Sequence, residues 1–124
     1  MKVAKNEHTV CFDVDDTLIM WEGTFLEKFE GCVEVVCPHD NKTTYHRPHK
    51  RHIEFLKKEH ARGYTVVVWS SAGAAWAESV IKSLKLEEYV DFVLSKPQKW
   101  VDDLKNPAEI LGVHLYLSED GFSR

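Results

Sequence analysis

The sequence predicts an α/β domain built on a twisted, mainly parallel sheet flanked by helices. Two continuous apolar runs carry this reading. Thr9, Val10, Cys11 and Phe12 lead directly into Asp13, and Val66, Val67, Val68 and Trp69 lead into Ser70, Ser71, Ala72 and Gly73. Runs without polar alternation are what strands covered on both faces look like. Helical patterns separate and follow them, and strands alternating with helices indicate a parallel sheet. Sites in such sheets lie at the carboxyl ends of strands.

The elements follow in order. Residues 9–12 are apolar and partly β-branched, which suits a buried strand ending in a polar loop. In segment 32–46, Val33, Val35 and Val36 precede a turn of Pro38, His39, Asp40, Asn41 and Lys42, and Thr43, Thr44 and Tyr45 follow it. This pattern predicts a β-hairpin inserted into the domain and projecting from the sheet. Residues 49–62 read as a helix, with Pro48 suited to a first turn, Ile53 and Leu56 at helical spacing and Gly63 placed for a C-cap. Beyond the second strand, Trp76, Val80 and Leu84 with Ile81 form one apolar helical face from about Ala74 onward. Asn106, Pro107 and Glu109 offer an N-cap, a proline at the first helical position and an early acid. They predict a short helix through Leu111, and residues 113–117 then read as a last strand.

At 124 residues the chain suits one domain, residues 1–124, with a single core. Apolar residues at 44% and charged residues at 29% exclude disordered, collagenous and membrane-spanning classes. The first ten residues lack a signal-like apolar stretch, so neither secretion nor a membrane partner is expected. Cys11, Cys32 and Cys37 are too few for a disulfide scaffold, which points to reduced thiols and a cytoplasmic setting. A formal charge of −4 argues against whole-surface attraction to nucleic acid. Segment 42–62 is the exception. It holds Lys42, Arg47, Lys50, Arg51, Lys57, Lys58, Arg62 and four histidines against only Glu54 and Glu59, so it reads as a solvated helix face or a contact for an anionic partner such as nucleic acid.

The chemistry concentrates in Asp13, Val14, Asp15, Asp16, Thr17 and Leu18, three carboxylates in four residues at a strand end. Like charges this close are stable only with a cation or a proton among them. A hard divalent ion such as Mg²⁺ suits them, since it takes carboxylate, phosphate and water oxygens.

This Asp-x-Asp-x-Thr segment after an apolar strand resembles the first motif of the haloacid dehalogenase superfamily, and three further segments occur in that superfamily's order. Ser70 is similar to its phosphate-binding second-motif residue, with Ser71 beside it. Lys96, in Ser95-Lys96-Pro97, is similar to the third-motif lysine, with Lys99 as the alternative. Asp102 and Asp103 are similar to the fourth-motif acidic pair. The resemblance spans residues 9–103 and implies a Rossmannoid fold without a large cap domain, because no insertion is long enough to form a lid.

By the same resemblance, Asp13 is a nucleophile that forms an aspartyl-phosphate and Asp15 is the general acid/base. Mg²⁺ is bound by Asp13, the Asp15 carbonyl and Asp102, while Lys96, Ser70 and Ser71 hold the phosphate. Asp16, Asp103 and Thr17 support the site. These roles agree with elementary chemistry: an aspartate with a reference pKa of about 3.9 is ionised at neutral pH and attacks without a base. A cation and a lysine offset the repulsion between two anions. The implied substrate is a small phosphomonoester such as a nucleotide or sugar phosphate. Phosphorylated nucleic-acid ends, phosphoproteins and phosphate binding without turnover are the alternatives. Members without a cap have open sites, which a macromolecular substrate or a second subunit of a homo-oligomer can cover.

Other patterns read more plainly. Only five residues separate Lys96 from Asp102, too few for a helical crossover. Either residues 90–94 are not a full parallel strand, or the strand before Asp102 is minimal. Cys32, Cys37, His39, His46 and His49 carry zinc-ligand chemistry, but their spacing fits no standard zinc knuckle and apolar packing of the cysteines is the better reading. Trp76 reads as core, and Trp21 as a residue bordering the mouth of the site.

Overall fold

The computed structural model of the chain describes residues 1–23 and 25–119. A parallel three-stranded sheet has the order β1 (Thr9–Phe12), β5 (Thr65–Ser70), β6 (Phe92–Ser95). Thr9 aligns with Thr65, and Phe12 with Val68. Val67 aligns with Phe92, and Ser70 with Ser95. Being central, β5 is buried along Thr65–Val68, and the wholly buried Val66 and Val68 each contribute about 1.5–3 kcal/mol.

The helices occupy the stretches their sequence periodicity predicts. Helix α1 (Lys50–Ala61) starts at His49, whose Nδ1 accepts the His52 backbone N–H at 3.1 Å. It ends at Arg62, and Gly63 follows in a left-handed conformation, φ 88°, where a side chain would be strained. Helix α2 (Ala74–Ser83) buries Trp76, Ala77, Val80 and Ile81. These side chains join Phe12, Val14, Leu18, Ile19, Val35, Leu56, Val66, Val68 and Leu86 in one core.

The hairpin forms as β3 (Val33–Val36) and β4 (Thr43–Pro48), closed by Cys37 N–H to Lys42 O at 2.8 Å and with Asn41 at φ 61°. It does not simply project. The short β2 (Ile19–Met20) pairs with Pro48 and Arg47 to make a second, antiparallel sheet of order β2-β4-β3. Val35, fully buried, ties β3 to the core beside α2.

The last quarter departs from expectation. Residues 92–95 form a full parallel strand, and no strand precedes Asp102, where Trp100 and Val101 are exposed. The helix expected through Leu111 is a single 3-10 turn, Pro107–Glu109, with Asn106 Oδ1 accepting the Ala108 N–H. Residues 113–117 form no strand: Val113 and Leu115 are exposed, and Leu117 takes a single bridge position rather than a place in a ladder. Instead, residues 116–118 lie against α1 and the loop after β1. Tyr116 donates its hydroxyl to Asp16 O at 3.0 Å, Leu117 N–H reaches His52 Nε2 at 2.9 Å, and Arg51 donates to Ser118 O at 2.8 Å. Among the described residues no helix is long and apolar enough to cross a membrane.

Candidate active site

Strand β1 ends at Phe12, and the loop beyond it is pinned from beneath by Val14 and Leu18, both fully buried. Val14 O accepts the backbone N–H groups of Thr17, Leu18 and Ile19, curling the chain so that the acidic residues between them stay at the surface. Asp16 makes the reversal in a left-handed conformation, φ 59°, which aspartate tolerates better than most side chains. Its Oδ1 accepts the Trp21 N–H at 3.0 Å. Asp16 thus shapes the loop.

The turn sets two carboxylates in different company. Asp13 is half-buried between a cation and a hydroxyl: Lys96 Nζ stands 3.0 Å from Oδ1, and Thr17 Oγ1 donates to Oδ2 at 3.2 Å. Asp15 faces donors of another kind. Its Oδ1 accepts indole N–H groups from Trp21 at 2.9 Å and Trp76 at 3.1 Å, while Ser70 Oγ donates to Oδ2 at 3.4 Å.

Neighbouring strands supply the remaining groups. Ser70 closes β5, fully buried, its Oγ also accepting the Ala72 N–H at 3.0 Å. Ser71 lies exposed on the turn. Gly73 takes φ 109° to start α2, and Ala74 N–H, at the start of that helix, reaches Ser95 Oγ at 2.9 Å. Lys96 follows β6 and is anchored by its own N–H to Ser70 O at 2.9 Å. The parallel register of β1, β5 and β6 therefore brings Asp13, Asp15, Ser70 and Lys96 together at one sheet end.

Asp102 and Asp103 lie on the exposed loop after β6, where Asp102 Oδ1 accepts the Leu104 N–H at 3.0 Å. Among the described residues, no three His, Cys, Asp or Glu side chains gather as a metal-holding group. The donors Asp13 and the Asp15 carbonyl have the hard-oxygen chemistry that Mg²⁺ takes. Lys99 is exposed, so of the two candidate lysines Lys96 is the one whose ammonium meets Asp13.

Two histidines of the hairpin region hold structure. His46 bonds Thr44 Oγ1 at 2.7 Å and Met20 O at 3.3 Å, and His49 caps α1. The basic segment is also partly neutralised: Arg47 pairs with Glu22 and Glu119, Arg62 with Glu59, and Lys57 lies over the Tyr89 ring.

Trp76 is a residue whose role the sequence concealed. The only signal was that a buried indole N–H requires an acceptor; that the acceptor is Asp15 follows from the fold. Ser95, bonded to the start of α2, is a second such residue.

Three buried histidines give the domain a pH dependence. Burial is the first cause holding His46, His49 and His52 below the ordinary imidazole pKa, and the positive charge of Arg51 adds to it at His52. His52 Nε2 must be unprotonated to accept the Leu117 N–H, so Nδ1 donates to Thr17 O at 2.7 Å. With the folded pKa depressed, the contribution to stability is complete above about pH 6.5 and is lost as pH falls through the lower folded values. Thermal midpoints should therefore fall as the pH is lowered over the interval below about 6.5. A flat profile over that interval would contradict the assignment.

Compared with protein-family profiles, residues 8–108 match that of the NLI interacting factor-like phosphatases. No curated protein and no solved structure matches the chain in the corresponding comparisons.

Proposed function

The chain belongs to the NLI interacting factor-like phosphatase family, a haloacid dehalogenase-like family, and from that premise we propose that this phosphatase is a Mg²⁺-dependent phosphomonoester hydrolase working through an aspartyl-phosphate on Asp13. One observation carries the reading. Asp13 stands against Lys96 at 3.0 Å, while Asp15, two residues on, stands against Ser70 and two indoles. Two carboxylates of one loop in such different surroundings suit two different tasks.

In this reading an Asp13 carboxylate oxygen attacks phosphorus as the bond to the leaving oxygen breaks. Asp15 gives that oxygen a proton. A water then attacks phosphorus, passes its proton to Asp15, and breaks the bond to Asp13, releasing phosphate and restoring the Asp13 carboxylate and the protonated Asp15. Lys96 offsets charge on the incoming phosphate, and the Ser70 hydroxyl and the start of α2 contribute donors. Mg²⁺, when bound, would be held by Asp13, the Asp15 carbonyl and Asp102 and would supply charge neutralisation at the transferring group.

The substrate in this reading is a small phosphomonoester such as a nucleotide or sugar phosphate. The pairing of Arg47 and Arg62 with acidic partners leaves segment 42–62 less charge for a polyanion than its sequence suggests. The free cysteines agree with a cytoplasmic setting.

An assay with 4-nitrophenyl phosphate tests the proposal. Turnover in Mg²⁺ should fall at least about a hundredfold on chelation and return when Mg²⁺ is restored. Turnover undiminished by chelator, or none in Mg²⁺, would refute it.

A further inference from the structure

Asp15 is the acid/base of the proposed mechanism, and the inference that follows rests on that reading. Its Oδ1 receives two indole N–H groups, from Trp21 at 2.9 Å and Trp76 at 3.1 Å. These come from opposite ends of the chain's first two motifs: Trp21 follows the loop after β1, and Trp76 lies in the first turns of α2.

The two bonds differ in what they require. Trp76 is 5% exposed, and a buried indole must find an acceptor somewhere. Trp21 is 40% exposed. Water is available to it, yet its N–H turns inward onto the carboxylate. The ring is held there from several sides, edge-on to His46 at 4.4 Å and to Phe25 at 5.1 Å, with Trp76 at 6.2 Å. His46 is itself fixed by Thr44 and Met20. This is a supported arrangement around one oxygen.

We infer that Trp21 and Trp76 are positioning residues for Asp15, clamping Oδ1 so that Oδ2 is the oxygen presented to the leaving group. The unprotonated oxygen of a carboxyl group offers about two lone-pair sites in its plane, and two N–H donors occupy both. Among the described residues Oδ2 has the long contact to Ser70 Oγ at 3.4 Å, on the side of the candidate phosphate residue. A carboxylate free to rotate would spend much of its time misdirected, and small misplacements of a catalytic group cost large factors in rate. The clamp removes that freedom without using the oxygen that exchanges the proton.

The test separates positioning from mere structure through leaving-group dependence. Values of kcat/KM, which report the steps up to aspartyl-phosphate formation, are measured for aryl phosphates from 2,4-dinitrophenyl to phenyl with the parent, Trp21→Phe, Trp76→Phe and Asp15→Asn. Phenylalanine keeps an aromatic ring and deletes only the donor-bearing part. Each tryptophan variant should lose about tenfold on phenyl phosphate, with the loss shrinking steadily as the leaving group improves, in the same direction as the larger trend for Asp15→Asn. A uniform loss across the series, or no loss, in Trp21→Phe would overturn the inference while leaving the acid role of Asp15 intact. A flat profile for Asp15→Asn would overturn that role and the inference with it. Because Trp21 is at the surface, its variant remains informative even if Trp76→Phe fails to fold.

Discussion

Asp13→Asn should lower turnover about a thousandfold or more while leaving the fold and its melting temperature close to the parent's. The chemical reason is that an amide oxygen is too poor a nucleophile to displace an alkoxide from phosphorus. The structural reason lies in the two contacts of Asp13. Asparagine can keep its carbonyl oxygen toward Lys96 and turn its NH₂ toward the Thr17 hydroxyl, which accepts as readily as it donates. Both partners remain satisfied, and the loop is held chiefly by Val14 O and the buried Val14 and Leu18. Steady-state turnover with thermal melting on the same preparation checks this. Activity within tenfold of the parent would remove Asp13 from the chemistry.

Lys96→Ala should cost about a hundredfold in kcat/KM. Lys96 sits 3.0 Å from the nucleophile, so its ammonium faces both the attacking carboxylate and the position where a phosphoryl group must arrive. Without it, two anions approach one another with less compensation. The backbone is not expected to move, because the bond from Lys96 N–H to Ser70 O survives truncation of the side chain. Lys99→Ala is the control. The exposed Lys99 should change kcat/KM by less than about twofold, as surface substitutions usually do little. Similar losses for both lysines would mean that the loop's total charge matters rather than the Lys96 contact.

The sequence and the fold meet most closely where burial imposes a period. The unbroken run through Val66–Val68 could only be a covered strand, and the four-residue recurrence of Trp76 and Val80 could only serve one helix face. The acidic loop was equally legible, since so much charge at a strand end has few structural uses. Tail residues such as Val113 and Leu115 have strand-like side chains, but a strand also needs a partner edge, which local sequence does not encode. The short span from Lys96 to Asp102 was resolved in favour of a full β6, with Asp102 left in an exposed turn.

Trp76 was half legible. Its spacing marks it as core, and it is core, but the direction of one N–H depends on how α2 packs beside the loop carrying Asp15. Segment 42–62 shows the same limit. A count of cations predicts a basic surface, whereas in the fold three of its histidines are buried and two of its arginines are paired. Charge in sequence is additive, but charge on a surface depends on neighbours brought from elsewhere in the chain.

The covalent role of Asp13 is tested most directly by trapping the intermediate. Enzyme turning over an aryl phosphate in Mg²⁺ is quenched in acid, which preserves an acyl phosphate long enough for peptide mass analysis. A phosphoryl group is expected on the peptide containing residues 9–20 and localised to Asp13, absent from Asp13→Asn and enriched in Asp15→Asn with a dinitrophenyl substrate, because the base that activates water is then missing. Phosphate release without any protein-bound phosphoryl group, or a phosphoryl group on a residue other than Asp13, would contradict it.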